Sequence, residues 1–168
     1  MNLFNHYWYF KSAIPEHICD DIVKYGHQLQ DQIAVTGGYD NKKFPFCRTW
    51  DKLTTYVVDH IHLKHNVKLI NKETWGNIYK PSEITIPLLN IDPVDLRNSP
   101  DFTLLYGVKV KDCMVRIHYE DNRRKGRSWD IELKDNMFIM FPSTNMYYLT
   151  NNQKDSLNFV QTITYESI

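Results

Sequence analysis

Histidines are the residues of this chain best suited to metal or acid–base chemistry, and six of the seven crowd into its first half: His6, His17, His27, His60, His62 and His65. Only His118 lies further on. On a helix, His62 and His65 share a face with Asp59, so a metal could bridge Asp59, His62 and His65. The same cluster also reads as a solvated helix end whose imidazoles complement the macrodipole. His118-Tyr119-Glu120 offers a histidine and a carboxylate (His118, Glu120) on one face of a strand, with no histidine after it. As an alternative, His118 is a strand residue with a satisfied hydrogen bond. Arg123, Arg124, Lys125 and Arg127, with Trp129 close by, form the one basic cluster; it suits an anion or a partner, with Trp129 as a stacking platform, or simply a solvated hairpin tip turned by Asp121, Asn122 and Gly126. Ser143 has no Gly-x-Ser-x-Gly elbow around it, Cys113 lies within a strand pattern, and Thr36-Gly37-Gly38 is too short for a dinucleotide fingerprint.

These groups have to be positioned by the elements that the patterning predicts. Ile18, Ile22, Tyr25, Leu29 and Ile33 make one helical stripe, opened near Pro15 and closed at Thr36-Gly37-Gly38. Trp50, Leu53, Val57 and Ile61 make a second stripe, over 50–65. Leu3 to Phe10 suggests a first strand. Further strands are predicted at 67–70, 74–79, 83–89, 102–110, 114–119 and 128–133, with a loop over 91–100 set by Pro93 and Pro100. The stretch 135–166 organises the rest. Asn136 to Phe141 is a dense apolar run closed by Pro142 and Ser143, Met146 to Leu149 is a short second run, and 151–155 is a polar turn. Leu157 to Tyr165 then alternates, with Phe159, Gln161, Ile163 and Tyr165 on one face and Asn158, Val160, Thr162 and Thr164 on the other, as a half-buried strand does. The expected fold is α+β: a double-stranded β-helix, or jelly roll, braced by two N-terminal helices. One domain over 1–168 is expected, with a mainly helical part over 1–66 packed on the β-helix over 67–168.

Phe-Pro-Ser at 141–143, followed by a short strand, a polar turn and a closing strand, resembles the C-terminal half of the iron- and 2-oxoglutarate-dependent oxygenases. The likeness is strongest to the small prolyl-4-hydroxylase-like proteins of tailed phages, whose N-terminus is similar to YWYFKSAIPEHICDDIVKYG and AVTGGY here. In that family a His-x-Asp on an early barrel strand and a later histidine hold the iron, and a basic residue further on holds the cosubstrate's carboxylate. The resemblance puts the early pair within YKPSEITIPLLNID, which has no histidine. It puts the later histidine on Tyr147 (or Tyr148) and the basic residue on Leu157 or Asn158. An iron(II) centre of this class needs two imidazoles and a carboxylate.

The resemblance therefore implies an oxygenase scaffold without the oxygenase chemistry: a non-catalytic phage protein that binds a phage or host protein, as a virion component or a modulator, with no cofactor. The alternatives are an active iron(II) and 2-oxoglutarate hydroxylase with unorthodox ligands, and a nucleic-acid-binding protein using 123–127. Composition narrows the field further. Twenty basic residues balance twenty acidic ones, so no global charge steers the chain to nucleic acid or anionic membrane. Eleven Tyr, eight Phe and four Trp favour a β-rich core. Cys19, Cys47 and Cys113 are too far apart for a zinc knuckle and odd in number, which points to a reducing compartment. MNLFNHYWYF lacks the basic n-region of a signal peptide, and no run reaches the ~20 apolar residues of a membrane span. The expected setting is the cytoplasm of an infected host cell, or the virion.

Overall fold

The computed structural model describes residues 8–9, 50–85, 87–120 and 126–168. The expected helix over 15–33, the tip of the basic loop at 121–125, and most of the proposed first strand lie outside them. In chain order the described elements are β1 (Trp8–Tyr9), α1 (Trp50–His65), β2 (Leu69–Tyr79), β3 (Phe102–Lys109), β4 (Cys113–Glu120), β5 (Gly126–Leu133), β6 (Met137–Pro142), β7 (Tyr147–Asn151) and β8 (Asn158–Ser167). A single 3-10 turn, Leu96–Asn98, interrupts the connection from β2 to β3.

The strands form two antiparallel sheets, ordered β1-β6-β3-β8-β2 and β5-β4-β7. Isolated bridges from Ile84 to Thr150 and from Leu88 to Tyr147 lay the 84–88 segment along the other side of β7. From β2 onward the chain repeatedly crosses between the two sheets, and this is the winding of the double-stranded β-helix. The expected strand at 83–89 is reduced to those bridges. Pro87 has no N–H to give, and the backbone bonds to β7 come from its flanks: Thr85 and Leu88 donate to Leu149 O and Tyr147 O at 3.1 and 2.7 Å, while Glu83 O and Leu88 O accept from Asn151 and Tyr147 N–H at 2.9 and 3.1 Å. The two expected strands at 67–70 and 74–79 are one strand, β2, which absorbs the polar Asn71-Lys72 with a bulge opposite β8.

The predicted stripe on α1 is buried at Leu53, Val57 and Ile61. It packs on the outer face of the larger sheet, against Leu104, Tyr106, Phe138, Met140, Phe159, Ile163 and Tyr165. Asn66 ends the helix in the left-handed region (φ 54°), and its N–H returns to His62 O at 3.0 Å. A second apolar cluster fills the space between the sheets, from Leu105, Ile139, Phe141 and Val160 on one side to Val115, Ile117, Ile131 and Leu149 on the other.

β8 departs from the half-buried strand its alternation suggests. Every residue from Asn158 to Tyr165 is buried, because β8 is the sheet's inner strand, with α1 over one face and the second sheet over the other. Asn158, Thr162 and Thr164 are therefore interior polar residues. Among the described residues no helix is long and apolar enough to cross a membrane.

Candidate functional site at the barrel mouth

Interior polar groups gather at one open end of the barrel, where β2, β3 and β7 begin and β8 ends. A cavity of about 630 Å³ opens there, between the start of β2, the connection after the 84–88 segment, Tyr147 and Thr164. Trp75, Leu88, Leu89, Ile91 and Pro100 give it apolar walls. Its polar lining is Asn77, Asn90, Ser99, Tyr147 and Thr164, with the exposed Lys72, Glu73, Asp92 and Asn98 at the rim.

Five hydrogen bonds fix this lining. Asn90 Nδ2 donates both to Tyr147 Oη and to Thr103 Oγ1, each at 3.1 Å, and Thr103 shares a 2.8 Å hydrogen bond with Ser143 Oγ. Thr162 Oγ1 donates to Asn77 Oδ1 at 2.7 Å, and Thr164 Oγ1 accepts from the Glu73 N–H at 3.2 Å. Burial pushes the Tyr147 phenol up to about 12, against a smaller lowering by the bond from Asn90, so the group is a proton donor at neutral pH. Asp92 is an exposed turn residue: its Oδ1 accepts from Val94 N–H at 2.9 Å, and its own N–H is held by Ser99 Oγ at 2.8 Å. Lys72 Nζ donates to Asn98 O, tying the β2 bulge to the 3-10 turn.

Asn90-Ile91-Asp92 thus lies in the segment where the resemblance puts the His-x-Asp pair, and it meets Tyr147, where the resemblance puts the later histidine. Asp92, Asn90 and Tyr147 offer a carboxylate, an amide and a phenol held protonated by burial, and this donor set does not fit an iron(II) centre that needs two imidazoles and a carboxylate. Among the described residues no three of His, Cys, Asp and Glu come together as a metal site. What this lining does well is hydrogen-bond a neutral group.

Asn158 lies at the opposite end of β8, fully buried. Its Oδ1 accepts from Lys111 N–H at 2.9 Å and Gln153 Nε2 at 2.7 Å, and its Nδ2 donates to Lys111 O at 3.1 Å. Leu157 is buried in the cluster under α1. Asp59, His62 and His65 are exposed residues of α1. His118 is exposed on the outer face of the second sheet, its ring 5.4 Å from that of Tyr148; Glu120 pairs with Gly126 through the backbone. Arg123, Arg124 and Lys125 fall outside the described residues, and Arg127 is described only as pairing with Tyr119. Trp129 is half-buried, turned into the barrel against the inter-sheet cluster rather than outward as a platform.

Two features carried no sequence signal. The first is the set Asn77, Asn90, Thr103 and Thr162, since only the rolled sheet shows that these polar residues face inward. The second is a ladder across the outer face of the smaller sheet. Arg116 clasps Asp130 through Nε and Nη2 at 2.6 and 2.8 Å, and its Nη1 donates to Tyr148 Oη at 2.7 Å. The hydrogen bond from Arg116 holds the Asp130 carboxyl below the usual range and raises the guanidinium further.

No protein-family model matches the chain, and no curated protein matches it. Solved structures do. A viral collagen prolyl hydroxylase from Paramecium Bursaria Chlorella virus-1, in complex with 2OG, superposes with a TM-score of 0.60 at 14% identity, covering 96% of each chain. A Pseudomonas putida prolyl-4-hydroxylase gives 0.57 at 12%, over 97% of this chain and 89% of that one. A prolyl hydroxylase from Trichoplax adhaerens gives 0.58 at 12%, over 97% and 84%. The chain has the fold of the prolyl-4-hydroxylase-like 2-oxoglutarate/iron oxygenases.

Proposed function

We propose that this chain uses the oxygenase fold for binding, without oxidation, and that what it binds is a protein partner. The observation that carries the reading is the contact of Asn90 with Tyr147, a hydrogen-bonded amide and phenol in the stretches where the resemblance puts iron ligands. Partner binding is supported by the apolar rim beside the cavity, where Val94 is 95% exposed and Leu96 and Leu89 accompany it. A phage origin, with a site of action in the infected cell or the virion, belongs to the same proposal. Its support is the N-terminal sequence likeness and the viral source of one structural neighbour.

The fold comparisons, taken by themselves, favour a second reading at least as well: an active iron(II) and 2-oxoglutarate hydroxylase with unorthodox ligands, which would draw on Asp92. Anaerobic titration with iron(II), then 2-oxoglutarate, separates the two. The binding reading expects neither stoichiometric iron nor a visible charge-transfer band; both together would establish the enzyme. Nucleic-acid binding through 123–127 remains a separate proposal. It requires a salt-dependent affinity that falls when Arg123, Arg124 and Arg127 are neutralised, and unchanged affinity removes it.

A further inference from the structure

The cavity at the barrel mouth has a defined hydrogen-bonding polarity. Tyr147 is 3% exposed, accepts from Asn90 Nδ2, and has no acceptor for its own proton among the described residues. Asn90 spends both amide protons on Tyr147 and Thr103, which leaves its Oδ1 as an acceptor without a donor. A buried donor and an acceptor from neighbouring side chains therefore border the same cavity. Around them the walls are apolar: Trp75, Leu88, Leu89 and Ile91.

Charge is absent from the inner lining. The inward-facing residues of β8 are Asn158, Val160, Thr162 and Thr164, none of them cationic. Lys72, Glu73 and Asp92 are exposed at the rim, and Lys72 is engaged with Asn98 O. A carboxylate entering the mouth would satisfy Tyr147 but set its second oxygen against Asn90 Oδ1, with two acidic side chains nearby. A carboxamide satisfies both, its C=O accepting from Tyr147 and its NH₂ donating to Asn90 Oδ1.

The geometry points to the mouth as a receptor for a neutral carboxamide on an apolar body, supplied either by a side chain of a protein partner or by a free small molecule. This rests on the reading of the mouth as a binding site rather than an iron centre. The phenol's upward shift keeps it a donor across the physiological range.

Benzamide and benzoate, equal in shape and different in charge, test it on the unmodified chain by saturation-transfer NMR with dissociation constants from titration. Benzamide is expected to bind in the millimolar range, at least about tenfold tighter than benzoate or 2-oxoglutarate. Tyr147→Phe, which keeps the ring, is expected to weaken benzamide by about tenfold and to leave benzoate no tighter than before. Benzoate or 2-oxoglutarate binding as tightly as benzamide overturns the inference, as does no benzamide binding, or benzamide binding unchanged in a folded Tyr147→Phe chain. A glutamine-centred tripeptide amide that binds more tightly than benzamide supports the partner's side chain as the source; one that binds no better supports a free small molecule. Should 2-oxoglutarate bind only once iron(II) is present, the binding reading itself fails, a result distinct from a mere preference for anions.

Discussion

Asn158 shows how much structure one buried amide can hold. It joins the turn at 111 to the polar loop before β8 through three hydrogen bonds, all inside the barrel's closed end. Asn158→Ala would remove the side-chain partner of the part-buried N–H and C=O of Lys111 and leave Gln153 Nε2 with Asn151 Oδ1 alone. The expected loss is about 2–4 kcal/mol in urea unfolding, and a change within error would show that solvent replaces the clasp. The sequence placed Asn158 on the polar face of a strand expected to be half-buried, whereas both faces are buried, and it offered no hint of the clasp, because both partners come from separate loops. Tyr147, with Tyr148 as the alternative, was singled out by the family resemblance, and it is Tyr147 that lines the cavity. Its partner Asn90 was not singled out, because an asparagine in a loop looks like any turn residue until the sheet rolls and brings it beside β7.

At the scale of elements, periodicity succeeded where one residue face meets one layer. The stripe Leu53, Val57 and Ile61 specified α1 to its ends, and the apolar run at 136–141 became β6. It failed at bulges and prolines, where pairing is set by the partner strand. The strand expected at 102–110 is found as β3, and its bulge is set in the same way by its partners. Gly107 donates no side chain there, and its C=O accepts from Asn136 N–H at 2.9 Å. A Cβ on Gly107 would sit 2.2 Å from the backbone oxygen of Lys134, so β3 and the turn before β6 would have to part. Gly107→Ala is expected to destabilise the chain by about 1–3 kcal/mol. An unchanged melting temperature would mean that the β5–β6 turn yields freely.

For the molecule as a whole, the same burial that shapes the core sets a limit at alkaline pH. Burial, with a smaller contribution from Glu132, pushes the Cys113 thiol from 9.0 up to about 12, and burial takes Tyr147 from 10.0 to about 12. In each case the folded state holds its proton more tightly than the unfolded chain. The stabilisation is therefore intact below pH 9 and is lost as the pH rises from there toward about 12. Chemical unfolding followed across that window should show declining stability. In Cys113→Ala the onset should move up toward pH 10, where Tyr147 begins to contribute; the same onset in both chains would assign the decline to other groups. The overall architecture was readable because the striped helix at 50–65 comes before a run of aromatic-rich strands set between turns. The polar chemistry inside the barrel was not, since inward and outward polar residues look alike in a linear pattern.

β8 follows every other described strand in the sequence and lies between β3 and β2 in space. Its partner β2 is some ninety residues upstream, with Leu69 opposite Ser167. During synthesis, β2 and β3 must therefore wait with open hydrogen-bonding edges until the ribosome has released Ser167. Closure of the larger sheet is thus a late, long-range step, and until it occurs the unpaired edges of β2 and β3 are open to wrong pairing.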